Sequence, residues 1–180
     1  MATATSSTTQ SSAKKPAARK RAGSRSQPDA IKLLKDDHRE VEGWFDEFER
    51  ARSDARKAEL AAKICLALRV HTQIEEELFY PPSREVLKDD DIVDEAVVEH
   101  DAAKKLIAEI ETMKPGDDLY DAKVTVLSEM IQHHVKEEEK EYFPRVRKTD
   151  LDLKAIGAQL AARKEELMAK MATDGTKAVH

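Results

Sequence analysis

The sequence predicts an all-α protein: an up-down-up-down antiparallel four-helix bundle with an additional C-terminal helix and a disordered basic N-terminal tail. Three observations predict it. Apolar residues recur at alternating three- and four-residue steps through five segments, the seam spacing of bundle helices. Only 5 Gly and 6 Pro interrupt 180 residues, and 40% hydrophobic against 37% charged content suits helices with solvated outer faces. Aromatics, at 4%, are too sparse for a sheet-rich core.

Residues 1–28 hold Ser, Thr, Ala, Pro and six basic residues, Lys14, Lys15, Arg19, Lys20, Arg21 and Arg25, with no large apolar side chain after Met1. Such a stretch buries too little surface to offset its ordering entropy. The net charge of −5 therefore divides into about +6 on the tail and about −11 on the rest. A solubilising tail is the plain reading. A tether to nucleic acid or another polyanion, and an organelle transit peptide, are the alternatives.

The first helix opens near Asp29 and runs to about Ala51, with Ile31, Leu34, His38, Val41, Phe45 and Phe48 on its seam. Ser53 can cap the second, which carries Ile64, Ala67 or Leu68, His71, Ile74 and Leu78 and ends at Pro81-Pro82. The third follows the acidic run 89–91 and shows Val93, Ala96, His100, Ala103, Ile107 and Ile110, until Pro115-Gly116. Asp117 or Asp118 starts the fourth, with Val124, Leu127, Ile131, His134 and Glu138 in register until Pro144. A fifth, from about Leu151 to Met171, is expected outside the bundle or against a partner. The domains are thus a tail (1–28), a bundle (29–148) and a C-terminal helix with a frayed end (149–180).

The second helical pair echoes the first. His38 and His100 lie 62 residues apart, and His71 and His134 lie 63 apart. His71 and His134 are each followed four residues on by Glu (Glu75 and Glu138) and ten on by Pro (Pro81 and Pro144). Four residues is just over one turn, so each His and its Glu share a face. In an antiparallel bundle, counting at 1.5 Å per residue puts all four histidines about 14–16 Å from one end. Any one alone reads as a core histidine with a local hydrogen bond. Four in one layer with two carboxylates cost several kcal/mol in desolvation unless something coordinates them.

Imidazole and carboxylate without thiolate suit iron, manganese or zinc. Six ligands are too many for one tetrahedral zinc and suit two metals bridged by both carboxylates. No Glu stands three residues before a His, so the ferritin-like pattern is missing. The lone Cys65 excludes an internal disulfide and a Cys-based zinc site, and reads as a small buried residue. Trp44 reads as packing. No apolar run approaches a membrane span, which leads to the expectation of a soluble, cytoplasmic protein.

These positions resemble the hemerythrin-like family, the HHE cation-binding domains, over roughly residues 29–148. The resemblance rests on one His in the first and third helices and on His-x3-Glu followed by Phe-Tyr-Pro or Tyr-Phe-Pro in the second and fourth. It implies a non-haem di-iron centre, oxo- or hydroxo-bridged, with His38, His71, His100 and His134 as terminal ligands and Glu75 and Glu138 as bridges. Manganese or zinc are less favoured occupants. The chain departs from the oxygen-carrying hemerythrins in having Lys104 in place of a further His. Its Glu138 also comes four rather than five residues after His134. Glu139, or the pair His133 with Glu138, would restore five, but His134 with Glu138 matches the second helix. A further ligand could come from Tyr142, one turn beyond Glu138, although an ordinary hydrogen-bonding tyrosine is the plainer reading, and the open position could instead be filled by solvent. The family implies binding of, or reaction with, a small oxidant or diatomic (O2, peroxide, NO), in oxidative or nitrosative stress response. Weak peroxide- or NO-consuming activity is compatible with this. The alternative is an iron or oxygen sensing module that acts through a partner.

Overall fold

The computed structural model describes Met1 and residues 29–88 and 91–177, with side chains as far as 171. The tail expected at residues 2–28 lies outside them. The helices are α1 (Ala30–Arg50), α2 (Asp54–Ile74), α3 (Tyr80–Leu87), α4 (Asp91–Glu111), α5 (Tyr120–Glu137), α6 (Phe143–Val146) and α7 (Leu153–Lys177), and no strand occurs among the described residues. Two single π-helical turns, Glu75–Phe79 and Glu138–Tyr142, join α2 to α3 and α5 to α6. The chain therefore makes five long helical rods, all of them anticipated from the seam spacing.

The first two helices start where local chemistry directs. The Asp29 carboxylate accepts the Lys32 amide at 2.9 Å, and the Ser53 hydroxyl accepts that of Arg56 at 3.3 Å, each satisfying a first-turn donor. The fourth rod differs from expectation. Neither Asp117 nor Asp118 opens it: Asp117 instead accepts the Lys114 amide at 2.9 Å, closing the turn at Gly116. The helix begins at Tyr120, after Leu119 in the left-handed region at φ 70°.

The prolines also behave differently from expectation. Pro81-Pro82 and Pro144 do not end their helices, which continue as α3 and α6. A proline ring inside an α-helix collides with the carbonyl four residues back. Here a wider turn intervenes: the Tyr80 amide donates to the Glu75 carbonyl and the Phe143 amide to that of Glu138, five residues back. One extra residue per turn clears the ring and lets the rod carry on. Both Glu of the His-x3-Glu pairs are the first residues of these turns.

α1 packs on α2, α2 on α4, α4 on α5 and α5 on α1, closing a ring of four rods. Two apolar clusters fill it. One joins the beginnings of α1 and α4 (Ile31, Leu34, Val93) to the far ends of the second and fourth rods (Ile74, Phe79, Tyr142, Phe143). The other joins the ends of α1 and α4 (Val41, Phe45, Ile107) to the beginnings of α2 and α5 (Leu60, Ile64, Val124). α7 lies outside the ring against α1 and α2 and adds Ile156, Leu160 and Leu167 to the first cluster. Between the clusters runs one polar layer. No helix among the described residues is long and apolar enough to cross a membrane.

Candidate metal centre

The polar layer is made by His38 of α1, His71 of α2, Glu75 and Glu138 at the two π turns, His100 of α4 and His134 of α5. All six are buried, Glu75 completely. Each His reaches the layer because it replaces an apolar residue on its helix seam. The six residues singled out from spacing are thus brought together.

The imidazoles meet through their Nε2 atoms, His38 with His71 at 3.1 Å and His100 with His134 at 3.1 Å. Glu75 Oε2 lies 3.2 Å from His71 Nε2 and 3.5 Å from His100 Nε2. Glu138 Oε2 lies 3.4 Å from His38 Nε2 and 3.6 Å from His134 Nε2. Each carboxylate thus spans both halves of the repeat. Two groups result, His38 with His71, Glu75 and Glu138, and His100 with His134 and Glu75, whose ligand atoms lie within 4.8 Å of one another. Within the layer, Glu75 Oε1 and Glu138 Oε2 have no hydrogen-bond partner, a costly state for buried carboxylate oxygens.

Each Nδ1 faces outward to a carboxylate: His38 to Glu139 at 3.0 Å, His71 to Asp37 at 3.5 Å, His100 to Glu76 at 2.9 Å and His134 to Glu99 at 2.8 Å. The duplication is visible in these partners. Asp37 and Glu99 immediately precede His38 and His100; Glu76 and Glu139 immediately follow Glu75 and Glu138. A carboxylate at Nδ1 holds a proton there, so that on each ring the inward Nε2 is the atom a metal ion can take in exchange for a second proton. Two Nε2 atoms 3.1 Å apart need a cation between them, a proton or a metal ion, because two facing lone pairs would repel. A donor set of four inward Nε2 atoms and two shared carboxylates fits two transition-metal ions without rearrangement of the fold.

Electrostatics within the layer tell the same story. Burial draws the His71 imidazole down, but Glu75 and Asp37 override it and raise it to about 10. His134 is raised against burial by Glu138, with Glu99 and Glu75 adding. Burial pushes Glu138 up, yet His134, His38 and His71 bring it to about 2. Glu138 is thereby held ionised and calls for positive charge beside it.

The side chains for which the sequence left alternatives open have definite places. Lys104, in the place of a further histidine, does not enter the layer: its Nζ grips Glu76 at 2.6 and 2.8 Å and so steadies the partner of His100. Glu139 is neither ligand-like nor mere surface, since it holds His38 Nδ1 and is itself held by Arg39 at 2.7 Å and Lys35 at 3.1 Å. Tyr142 points away, its hydroxyl bonded to that of Ser83. The tyrosine that enters is Tyr80, 3.1 Å from Glu138 Oε1, 3.4 Å from His100 Nε2 and 3.5 Å from Glu75 Oε2. Burial, with Glu138 and Glu75, pushes its hydroxyl well above the ordinary range, so it stays a donor. Its counterpart in the other half is Phe143, stacked on His38 at 6.0 Å between centroids. The order Phe-Tyr-Pro in one copy and Tyr-Phe-Pro in the other carries this asymmetry. His133 is on the exterior, beside Glu99 and Glu137.

On the side of the layer facing the second cluster is a cavity of about 20 Å³, lined by all four histidines and by Val41, Leu68, Ile131 and Val135. A groove of about 380 Å³ between α1 and α5, edged by Arg39, Glu42, Phe45, Lys136 and Glu139, reaches His38 from the surface.

Comparison with known proteins places this arrangement. Residues 29–146 match the family described as Hemerythrin HHE cation binding domain. A curated protein, a DNA nickase of Nostoc sp., is 26% identical over 115 residues, 64% of this chain and 32% of that protein. The chain thus spans about a third of that relative's length. A crystal structure of a hemerythrin HHE cation-binding domain-containing protein from Mycobacterium kansasii superposes with a TM-score of 0.68 at 24% identity, covering 79% of this chain and 89% of that one, a likeness of fold.

Proposed function

This chain belongs to the hemerythrin HHE cation-binding domain family, and we propose that its polar layer holds two non-haem iron ions and binds or reacts with a small oxidant or diatomic: O2, peroxide or NO. The observation that carries the reading is the convergence of four inward Nε2 atoms on two buried carboxylates with unpartnered oxygens. The reading takes the ring of rods as an up-down-up-down bundle, as the pairing of helix beginnings with helix ends in each cluster supports.

In this reading His38, His71, His100 and His134 are terminal ligands, while Glu75 and Glu138 are shared. When bound, the iron pair supplies the redox change and the open coordination positions at which an oxidant is held. The protein supplies the rest. Glu139, Asp37, Glu76 and Glu99 fix the tautomer and tilt of each imidazole and raise its basicity. Tyr80, present on one side only, offers a hydroxyl proton close to Glu138 and His100. The cavity of about 20 Å³, lined by the imidazoles, by Asp37 and Thr72 and otherwise by apolar side chains, admits nothing much larger than a water or a diatomic. Its size favours O2 or NO over bulky substrates, in keeping with a role in oxidative or nitrosative stress.

Filling the cavity tests this. Val41→Leu adds a methylene to its lining while leaving every proposed ligand in place. Expected are unchanged metal content and association of NO or O2 slowed by about tenfold or more, because the space the diatomic needs is gone. Unchanged association would contradict the placement.

A second reading, an iron or oxygen sensor acting through a partner, is favoured by one observation. The Lys164 ammonium of α7 holds Asp37 at 2.5 Å, and Asp37 faces His71. α7 is thereby wired to the layer. Metal removal should then increase hydrogen exchange along α7; unchanged exchange would count against sensing. Nucleic-acid contact through residues 1–28 is a separate proposal that rests on their charge alone.

A further inference from the structure

We propose that Glu99, His133 and Glu137 form a second, outer site for a divalent transition-metal ion of the zinc class, on the exposed seam between α4 and α5. His133 and Glu137 stand four residues apart on α5, a further His-x3-Glu pair, one residue ahead of His134 and Glu138 and so turned outward by about 100°. Glu99 comes from α4, next to His100.

The geometry is that of a tripod. His133 Nε2 lies 3.3 Å from Glu99 Oε1 and 3.3 Å from Glu137 Oε1, and the ligand atoms of the three residues lie within 4.8 Å of one another. Ligands at about 2.0–2.1 Å from a tetrahedral zinc are separated by about 3.3 Å. The His133 Nε2 atom can donate to only one of the two oxygens, whereas an ion there satisfies all three groups. The His133 side chain is 57% exposed, so water can complete the coordination and little desolvation opposes binding.

A second observation points the same way. Of the four outer carboxylates, three are gripped by fixed cations: Asp37 by Lys164, Glu76 by Lys104, and Glu139 by Arg39 and Lys35. Glu99 is the exception among the described residues, with His133 and His134 as its partners. The duplication explains why the site occurs once. The positions matching His133 and Glu137 in the other half, 63 residues earlier, are Val70 and Ile74, both buried in the cluster to which α7 contributes. In that half Lys164 of α7 supplies the positive charge; on the α4–α5 side, an ion can. Because Glu99 presents Oε1 to the outer site and Oε2 to His134 Nδ1, the two sites share one carboxylate.

Equilibrium dialysis of the full chain against zinc, with zinc counted per chain, tests this. The wild type is expected to take up one equivalent more than His133→Ala or Glu137→Gln, each of which weakens that equivalent at least tenfold. Both residues lie outside the inner layer, and circular dichroism checks that the variants fold. His71→Ala, which disrupts the inner cluster, should retain the His133-dependent equivalent, so a failure of the di-iron reading and a failure of this one are distinguishable. Zinc uptake that is the same in wild type and His133→Ala overturns the outer site.

Discussion

At the scale of single residues, the site depends on partners one bond removed from the proposed ligands. Asp37, Glu76, Glu99 and Glu139 each hold one Nδ1, so replacing one should loosen metal without removing a ligand. Glu76→Gln is expected to lower metal affinity by about 10- to 100-fold, read by competition with a chelator. Lys104→Ala should give a smaller loss in the same direction, since Lys104 acts only through Glu76. Tyr80→Phe keeps the ring and removes the one hydroxyl. Metal content should hold while the rate of any reaction that takes up a proton at the layer falls, by about 10²-fold if Tyr80 is the donor. Cys65 is the reverse case, a reactive group kept silent. Burial, with Glu111 adding and Arg69 opposing, pushes its thiol up to about 12. The neutral thiol therefore favours the folded state fully below the ordinary thiol range, and this contribution fades as pH rises toward 12. Alkylation at pH 8 should be about a thousandfold slower in the folded than in the unfolded protein, measured by mass shift against time.

At the scale of elements, the helices were legible and the turns between helical pieces were not. Seam spacing marks α1, α2, α4, α5 and α7 because burying an apolar stripe is what makes a bundle helix stable. Pro81, Pro82 and Pro144 read locally as stops, and the π turns that absorb them depend on neighbours the sequence does not display. That one unseen residue has a specific consequence. Past a π turn the face of the helix is resumed after five residues rather than four. Counting four from Glu138 selects Tyr142, whereas five from Glu75 and Glu138 gives Tyr80 and Phe143, the rings that lie on His100 and His38. The six inner residues were legible because every one of them precedes the π-turn shift or begins it. The outer carboxylates were signalled only by an acid before the first His and another after the ligand Glu of each copy, a pattern lost in a chain with 36 acidic residues. The role of α7 belongs to this scale too. Lys164→Ala should cut the link to Asp37 and raise hydrogen exchange at the start of α1 more than in α4, because Asp37 loses the cation that anchors it.

At the scale of the whole molecule, two apolar clusters are separated by a layer that is expensive to bury and that metal makes affordable. Ions that bind the folded layer and not the unfolded chain should stabilise the fold by about 2.7 kcal/mol at 100 times their dissociation constant. Chelation is therefore expected to lower the melting temperature, and His71→Ala to remove most of that dependence on metal. The central claim is that the layer holds two irons. Its most direct measurement is the metal content of the freshly purified full chain by mass spectrometry, taken together with its near-ultraviolet and visible absorption. About two irons per chain with oxo-to-iron charge-transfer absorption are expected, and a loss of both in His71→Ala. A chain that carries no metal when purified, and takes up none from ferrous iron without air, would contradict it.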